Sequence, residues 1–370
     1  MTSSSVREQA AAPPTTLAGL TTFRVGGPVT DVVDATSETE LVEAVRDADD
    51  AGTPLLVLGG GSNLLASDAP FPGRVVRDGR RGLRVEDAAA CFGTSVVVPA
   101  GEPWDDVVAT AVAEGWRGVE ALSGIPGSTG ATPVQNVGAY GQEVGETLAS
   151  VRVYDRLTQR THTLAVGELG LGYRTSVLKR SLADPDAGGG RTWGPTGRYV
   201  VLEVGLQLAQ GSASMPVRYA ELAQALDVDL GQSAPAARVR EAVLALRRGK
   251  GMVLDSGDPD TWSAGSFFTN PVLPAEEADS LLPPDAPRFP AGQGRVKTSA
   301  AWLISRAGFE RGFGDPQRAA LSGKHVLALT NRGAASAQDL LGLARTVRDG
   351  VRQRFGVELV PEPVLVGLAL

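Results

Sequence analysis

The sequence feature that most constrains this chain is a long segment near its middle without helical or strand periodicity. From 122 to 145, glycine, serine, threonine, proline, asparagine and glutamine predominate, so no regular element is predicted. A loop of this length within a compact domain is usually functional. We therefore predict that this segment is a functional loop.

A shorter glycine-rich segment follows a predicted strand. The apolar run 54–58 ends in Gly-Gly-Gly-Ser-Asn at 59–63, where backbone N–H groups can approach a phosphate without obstruction by side chains. Leu64 stands where a Rossmann dinucleotide-binding turn has its third glycine or alanine, and the lysine of a P-loop is missing too. On its own, the segment fits a structural turn better than a phosphate site.

The remainder of the chain alternates helical and extended patterns, which predicts an α+β fold. Extended runs occur at 151–154 and 199–208, and apolar residues recur at helical spacing elsewhere. The predicted helices are Ser37 to Ala51, which starts with a capping box, Trp104 to Ala113, Pro235 to Arg248, and Ser336 to Phe355, which Gly356 ends. Residues 1–18 are rich in small and polar residues, and we expect a disordered tail there, with order beginning near Thr21.

Composition argues against several classes of protein. The formal net charge of −7 argues against broad electrostatic binding of nucleic acid. The chain has no apolar run long enough to span a membrane and no signal-peptide pattern, so we expect a cytoplasmic protein without a membrane partner. The single cysteine, Cys91, excludes an internal disulfide, and in its strand-like run we expect a buried apolar residue. With only His162 and His325, no metal site is expected.

The two glycine-rich loops are more specific as a pair. Gly-Gly-Gly-Ser-Asn at 59–63 and Gly-Ile-Pro-Gly-Ser-Thr-Gly…Gln-Asn-Val-Gly-Ala-Tyr-Gly at 124–141 together resemble the FAD site of the UDP-N-acetylenolpyruvoylglucosamine reductase family. The resemblance covers 20–367. It implies a vanillyl-alcohol-oxidase-type fold, in which FAD lies between two α+β subdomains and a C-terminal α+β domain binds the substrate.

In that resemblance, the first loop holds the FAD pyrophosphate through main-chain N–H groups, and the second loop runs beside the flavin. The cofactor-binding residues that it implies are Gly59, Gly60, Gly61, Ser62, Asn63, Ser123, Gly124, Ile125, Gly127, Ser128, Gly130, Ala131, Asn136, Gly138 and Ala139. Neither loop contains a histidine for covalent attachment, so we expect FAD to be held non-covalently. NADPH is the hydride donor that the resemblance implies.

Three further segments resemble catalytic segments of the same family. They are the Tyr-Arg-x-Ser segment at 172–179, the Gly-Ser-Phe-Phe-x-Asn-Pro segment at 265–271 and the closing segment at 361–367. The resemblance makes Arg174, Ser266 and Glu362 catalytic, with Ser266 as the proton donor.

Each catalytic candidate also has a plainer interpretation when it is taken alone. Arg174 fits a surface ion pair, Ser266 a turn residue at the start of a strand, and Glu362 a polar residue before an edge strand. Their joint occurrence in the family's order favours catalysis over these readings.

The implied reaction explains why these residue types are needed. Hydride delivery to C3 of an enolpyruvyl ether leaves negative charge at C2 and on the adjacent carboxylate. A guanidinium at Arg174 stabilises that charge, and the hydroxyl of Ser266 supplies a proton. Glu362 helps if it is protonated and opposes the reaction if it is ionised, and the sequence leaves its protonation state open.

The resemblance also implies a nucleotide-sugar site. Tyr173, Tyr219, Lys250 and Asn270 are its candidate substrate-binding residues, with Tyr219 and Lys250 at the diphosphate. The spacing from Lys250 to Ser266 is longer than in some relatives, which leaves the role of Lys250 open. The implied substrate is UDP-N-acetylglucosamine enolpyruvate, which enters the cleft after NADPH has left and becomes UDP-N-acetylmuramate for peptidoglycan synthesis.

These expectations give a three-part chain that we expect to be a monomer. The parts are a first FAD-binding subdomain at 19–86, completed by 346–370, a second FAD-binding subdomain at 87–234, and a substrate-binding domain at 235–345. Two alternatives stay open: a sugar or lactone oxidase of the same flavin fold, and a non-catalytic nucleotide-sugar binding protein.

Overall fold

The computed structural model describes residues 15–89 and 93–370. Predictions for Cys91 and for tail residues 1–14 therefore lie outside the described residues. Order begins earlier than predicted, because a 3₁₀ helix spans Leu17–Leu20 and the Leu17 N–H donates to the Gly27 carbonyl at 2.9 Å. The assignment of residues 15–18 to a disordered tail was wrong, since Leu17 is a buried core side chain that anchors the segment.

The first part of the chain is a small parallel sheet with one helix. Its sheet order is β1-β4-β2, and its elements are β1 (Val29–Ala35), α1 (Glu38–Asp50), β2 (Leu55–Leu58), β3 (Leu64–Ala66) and β4 (Phe71–Asp78). The predicted first helix is confirmed, and the Ser37 hydroxyl caps it by accepting a hydrogen bond from Glu40 N at 3.2 Å. The loop 59–63 leaves the carboxyl end of β2.

The second part is a six-stranded antiparallel sheet in the order β11-β10-β12-β6-β5, with β7 paired to the end of β12. Its strands are β5 (Arg84–Ala89), β6 (Gly93–Pro99), β7 (Trp116–Arg117), β10 (Leu148–Asp155), β11 (Arg160–Ala165) and β12 (Tyr199–Gln210), and the short hairpin strands β8 (Gly138–Ala139) and β9 (Gln142–Glu143) lie in the connection before β10. Helices α2 (Trp104–Ala113), α3 (Val177–Arg180) and α4 (Pro185–Gly188) complete it. The predicted apolar stripe of α2 is confirmed: it packs into the buried cluster of this sheet.

The third part contains five helices and short strands. Its elements are α5 (Ala220–Leu226), α6 (Ala236–Gly249), β13 (Val272–Pro274), α7 (Ala275–Leu281), β14 (Phe289–Pro290), β15 (Arg295–Lys297), α8 (Ala300–Arg306), β16 (Ala319–Leu321), β17 (Leu329–Asn331), α9 (Ala337–Phe355) and β18 (Val364–Val366). The predicted helices at α6 and α9 are confirmed, and Gly356 ends α9 in the left-handed conformation. Strand β18 returns to pair in parallel with β3, which brings the C-terminus beside the first sheet.

The central segment 122–145 has little regular structure, as predicted. Its short elements are the 3₁₀ helices Thr129–Ala131 and Val144–Glu146 and the β8–β9 hairpin. Besides Leu17–Leu20, the other described 3₁₀ helices are Glu120–Leu122, Val166–Leu169 and Pro259–Thr261. Within the described parts of the chain, no helix is long and apolar enough to cross a membrane.

The three-part division stays a prediction, and two of its limits fall inside regular elements. The limit at 86/87 lies within β5, which pairs with β6 of the second sheet. The limit at 345/346 lies within α9, whose buried face packs with the cluster that contains Ile304 and Leu321. Helix α9 is continuous up to Phe355, so the chain returns to the first part only after that residue.

Candidate active site

A cavity of about 1020 Å³ lies where the three parts of the chain meet. Leu56 of β2, Val201 of β12 and Phe268 of the third part all contribute to its wall. Most of the predicted site residues line it: Gly59, Gly60, Gly61, Ser62, Asn63, Ile125, Gly127, Ser128, Gly130, Ala131, Gly138, Ala139, Tyr173, Arg174, Tyr219, Lys250, Ser266, Asn270 and Glu362. Segments far apart in sequence therefore converge on one space.

The two glycine-rich loops touch each other along one wall of this cavity. A Cβ on Gly60 would lie 2.6 Å from Cα of Gly127, so the loops approach as closely as they do only because side chains are missing. The Ser62 hydroxyl donates to the Pro126 carbonyl at 2.9 Å and ties the loops together. Gly61 has φ +61°, the left-handed region that favours glycine.

This wall fits the cofactor that the sequence predicts. Among the described residues, no hydrogen bond uses the backbone N–H groups of Gly60, Gly61 or Ser62. Unused N–H groups in a glycine-rich turn after a strand suit an anionic pyrophosphate. FAD would be held here by this turn and by the facing loop from Ile125 to Ala131.

Three of the predicted cofactor residues do not reach the cavity wall. The buried Ser123 hydroxyl donates to Glu120 O at 2.6 Å, and the Gly124 N–H donates to Asp105 Oδ1 at 2.6 Å. The buried side chain of Asn136 donates to Glu143 Oε2 at 2.7 Å. In this structure these residues shape the second loop from behind, and their polar groups are already used within the protein.

Arg174 is held in an unusual backbone conformation. Its φ is +55°, which a side chain larger than glycine rarely adopts and which clusters at functional sites. Its Nη2 donates to Gly138 O at 2.7 Å, so the second loop fixes the guanidinium. Its buried Nε lies 3.3 Å from Glu362 Oε1, at an angle that leaves this N–H without a hydrogen bond to the described residues.

Glu362 presents a largely buried carboxyl, with 12% of its side chain exposed. The Glu362 N–H donates to Phe267 O at 2.8 Å, and Gln135 Nε2 donates to Oε1 at 3.3 Å. Burial raises the pKa of this carboxyl, while the charges of Arg174 and Lys179 act in the opposite direction. The net shift of the Glu362 pKa is upward, which favours the protonated form.

Ser266 lies beside Glu362 because two chain segments pair in antiparallel fashion. Phe268 bridges to Pro361, and the Phe267 N–H donates to Leu327 O at 2.8 Å on the other side. The Ser266 side chain is partly exposed to the cavity, and its hydroxyl makes no hydrogen bond within the described chain. It is thus free to donate to a bound molecule.

An aromatic and basic group lines the end of the cavity near α5 and α6. Tyr219 is 45% exposed, and its ring meets that of Tyr140 edge to face with 5.5 Å between centroids. The Lys250 ammonium lies 5.6 Å from the Tyr140 ring centroid and forms an ion pair with Glu221. An anionic ligand at this end would compete with Glu221 for that ammonium.

Tyr173 and Asn270 are neighbours in the wall of the cavity. The Asn270 N–H donates to the Tyr173 hydroxyl at 3.3 Å, and burial raises the pKa of that phenol. The Asn270 Oδ1 accepts from Ala300 N at 2.9 Å, at the start of α8. Lys297 places its ammonium 4.7 Å from the Tyr173 ring centroid.

Sequence reasoning missed several residues of this cavity. Gln135 and Lys179 contact Glu362, and Arg247 is a buried arginine whose Nε donates to Gly124 O at 3.2 Å. Burial lowers the pKa of Arg247 to about 10. Two features of the sequence could have identified them. Gln135 lies inside the second loop, and Lys179, one of four lysines, lies inside the Tyr-Arg-x-Ser segment at 172–179.

Family models match both ends of this architecture. Residues 30–163 match a model described as an FAD binding domain, and residues 258–366 match the C-terminal domain of UDP-N-acetylenolpyruvoylglucosamine reductase. Fold, cavity and FAD-binding domain together define a flavin-dependent oxidoreductase with a vanillyl-alcohol-oxidase-type fold.

Relatives define the family. The chain is 54% identical to UDP-N-acetylenolpyruvoylglucosamine reductase of Saccharopolyspora erythraea (96% of this chain, 95% of the relative) and 52% identical to that of Cutibacterium acnes (96% and 90%). A crystal structure of the Thermus caldophilus enzyme matches with a TM-score of 0.61 at 25% identity, covering 96% of this chain and 98% of that one. The chain belongs to the UDP-N-acetylenolpyruvoylglucosamine reductase family, and FAD with NADPH as reductant is its cofactor system.

Proposed function

We propose that this chain reduces UDP-N-acetylglucosamine enolpyruvate to UDP-N-acetylmuramate, a precursor of peptidoglycan, with Arg174, Ser266 and Glu362 as its catalytic residues. The observation that carries the proposal is the convergence of these three side chains on one cavity beside the second glycine-rich loop. When bound and reduced by NADPH, FAD would supply the hydride for C3 of the enolpyruvyl group. The protein residues must bind, orient and protonate the substrate.

Arg174 stabilises the charge that develops on the substrate. Its guanidinium is held by the Gly138 carbonyl and lines the cavity, so its positive charge is available to the carboxylate of the enolpyruvyl group. A prearranged donor costs no reorganisation when the charge appears, which is the condition for strong electrostatic stabilisation. The strained backbone at Arg174 supports this role, because such strain clusters at functional sites.

Ser266 supplies the proton that completes the reduction. Hydride addition at C3 leaves an electron pair at C2, and transfer of the Ser266 hydroxyl proton to C2 forms the second C–H bond. The hydroxyl is unbonded within the described chain and faces the cavity, which supports this role. The serine alkoxide that remains must regain a proton before the next turnover.

Glu362 assists in its protonated form. Its raised pKa keeps a larger fraction neutral, and a neutral carboxyl can donate a hydrogen bond to the enolpyruvyl ether without repelling the developing negative charge. We assign Tyr219 and Lys250, which line the cavity near α5 and α6, to the diphosphate of the nucleotide-sugar. Cytoplasmic location and a monomeric state stay predictions from the sequence, to be checked by cell fractionation and light scattering.

An anaerobic two-step experiment tests the proposal. The purified yellow protein is first reduced with NADPH, and the enolpyruvyl nucleotide-sugar is then added in the absence of oxygen. We expect flavin absorbance to disappear in the first step and to return in the second, with UDP-N-acetylmuramate as the product. Reduced flavin that persists after the substrate is added would exclude this function.

A further inference from the structure

A group of polar side chains behind Glu362 has no part in the reaction described above. Asn63 of the first loop, Gln135 of the second loop and Lys179 of α3 meet there, and all three line the cavity. Gln135 Oε1 accepts from Asn63 Nδ2 at 2.7 Å and from Lys179 Nζ at 3.4 Å. Lys179 Nζ also donates to the Glu362 carbonyl oxygen at 3.2 Å.

The two donors on Gln135 Oε1 determine which way its amide group points. An amide oxygen has two lone pairs, and Asn63 and Lys179 occupy both. The amide nitrogen must then face Glu362, and its Nε2 lies 3.3 Å from Oε1 of that carboxyl. Oε1 receives this donor and also has Arg174 Nε at 3.3 Å, so Oε1 acts as an acceptor.

We propose that Lys179 is a positioning residue that, through Gln135, holds Glu362 with Oε1 as the acceptor and Oε2 as the atom that carries its proton. The inference rests on the proposed function, because it concerns how the assisting carboxyl is presented to the enolpyruvyl group. Oε1 already accepts the Gln135 N–H and lies next to the positive charge of Arg174, so the proton belongs on Oε2.

The short helix α3 gives Lys179 its fixed position. Ser176 caps this helix by accepting from Lys179 N at 3.2 Å, and its own hydroxyl donates to the Val134 carbonyl. Lys179 is therefore tied to the residue that precedes Gln135. The ammonium is partly buried, which lowers its pKa, and the charge of Glu362 acts in the opposite direction.

The charges around Glu362 set the expected effect of removing Lys179. The charged or titratable groups that face its carboxyl are Arg174, Lys179 and Tyr173. A nearby positive charge favours the ionised carboxyl, so its removal favours the protonated one. Lys179→Met should thus raise the carboxyl's titration midpoint by about one unit, whereas Lys179→Arg, which keeps the charge, should move it far less.

Infrared difference titration of the FAD-loaded protein measures this midpoint directly. The band of the protonated carboxyl is assigned by its loss in Glu362→Gln and then followed with pH in wild type, Lys179→Met and Lys179→Arg. The control is Arg306→Met on α8, which removes an exposed charge that forms an ion pair with Asp285. This variant should keep the wild-type midpoint. If Lys179→Met does not fold, Lys179→Gln takes its place with the same expectation.

Kinetics supply the second readout. In the anaerobic assay, Lys179→Met and Gln135→Met should slow flavin reoxidation by the enolpyruvyl substrate about tenfold, less than the roughly 10²–10⁴-fold contribution of a general acid, because the carboxyl stays but loses its position. Both variants should leave flavin reduction by NADPH near the wild-type rate. An unchanged midpoint in Lys179→Met, or equal slowing of both half-reactions, overturns the inference. Wild-type enzyme that the substrate does not reoxidise overturns the proposed function instead, and the infrared titration still decides the role of Lys179.

Discussion

At the scale of single residues, the cavity combines side chains whose protonation or conformation is costly. Arg174 has a left-handed backbone, Glu362 has a raised pKa, and His325 has a lowered one. In each case the surrounding residues hold the side chain in this unfavourable state. Such costs are typical of functional sites, because a residue chosen for stability alone would avoid them.

Replacing Ser266 by alanine tests the proton-donor role. We expect flavin reduction by NADPH to stay near the wild-type rate, while reoxidation by the enolpyruvyl substrate falls about 10²–10⁴-fold, since a hydroxyl that donates a proton is lost. Stopped-flow absorbance under anaerobic conditions measures both steps. Similar losses in the two half-reactions would remove the assignment.

His325 makes the protein's stability depend on pH. Burial, with help from Lys250 and Arg311, lowers the pKa of His325 to about 4 from its usual 6.5. The unfolded chain therefore binds more protons between these values, and the stability present above pH 6.5 is lost as pH falls towards 4. His325→Gln should reduce that loss by up to about 3 kcal/mol.

Urea unfolding of the FAD-loaded protein at a series of pH values measures this loss for wild type and for His325→Gln. His162→Gln, at an exposed strand position, is the control and should keep the wild-type slope. A slope in His325→Gln equal to that of wild type would show that His325 is not buried in its neutral form.

At the scale of elements, the cofactor site depends on two loops that approach each other without side chains. Gly60→Ala adds a Cβ at 2.6 Å from Gly127 Cα, so the loops must separate. We expect a lower ratio of flavin to protein absorbance in the purified variant. Gly342→Ala, where a Cβ meets open space on α9, is the matched control; it should keep its flavin and gain roughly 1 kcal/mol of stability.

The longest helix, α9, is stabilised at its start by a reciprocal cap. The Ser336 hydroxyl accepts from Asp339 N at 3.2 Å, and Asp339 Oδ2 accepts from Ser336 N at 2.7 Å. Ser336→Ala should lower the free energy of unfolding by about 1 kcal/mol in urea titrations. Ser305→Ala, at an exposed position of α8, should change it much less; equal effects would show that the cap contributes nothing specific.

At the scale of the whole molecule, the cavity is walled by residues from all three parts of the chain. A ligand that binds only the folded state stabilises it, by about 2.7 kcal/mol at a hundred times its Kd. We expect the melting temperature to rise with added FAD and to fall after FAD is removed.

Acid precipitation should leave colourless protein with free FAD in the supernatant, whereas a yellow precipitate would indicate covalent attachment.

Local sequence patterns were sufficient for the helices and for the two loops. Helical spacing and capping residues located α1, α2, α6 and α9, because these signals act over a few neighbouring residues. The loops were evident because glycine, serine and asparagine leave no periodicity. The start of order was placed too late, because the packing of Leu17 depends on residues distant in sequence.

Only the tertiary structure decided which residues meet. The sequence determined the chemical types of the site, a guanidinium, a hydroxyl and a carboxyl in separate segments. Pairing of Phe267 with Glu362, and of β18 with β3, brought those segments together. The contact of Lys179 with Glu362 joins residues 183 positions apart, and no local pattern encodes it. Burial, which sets the pKa of Glu362, is likewise a property of the packed chain and not of the residues around position 362.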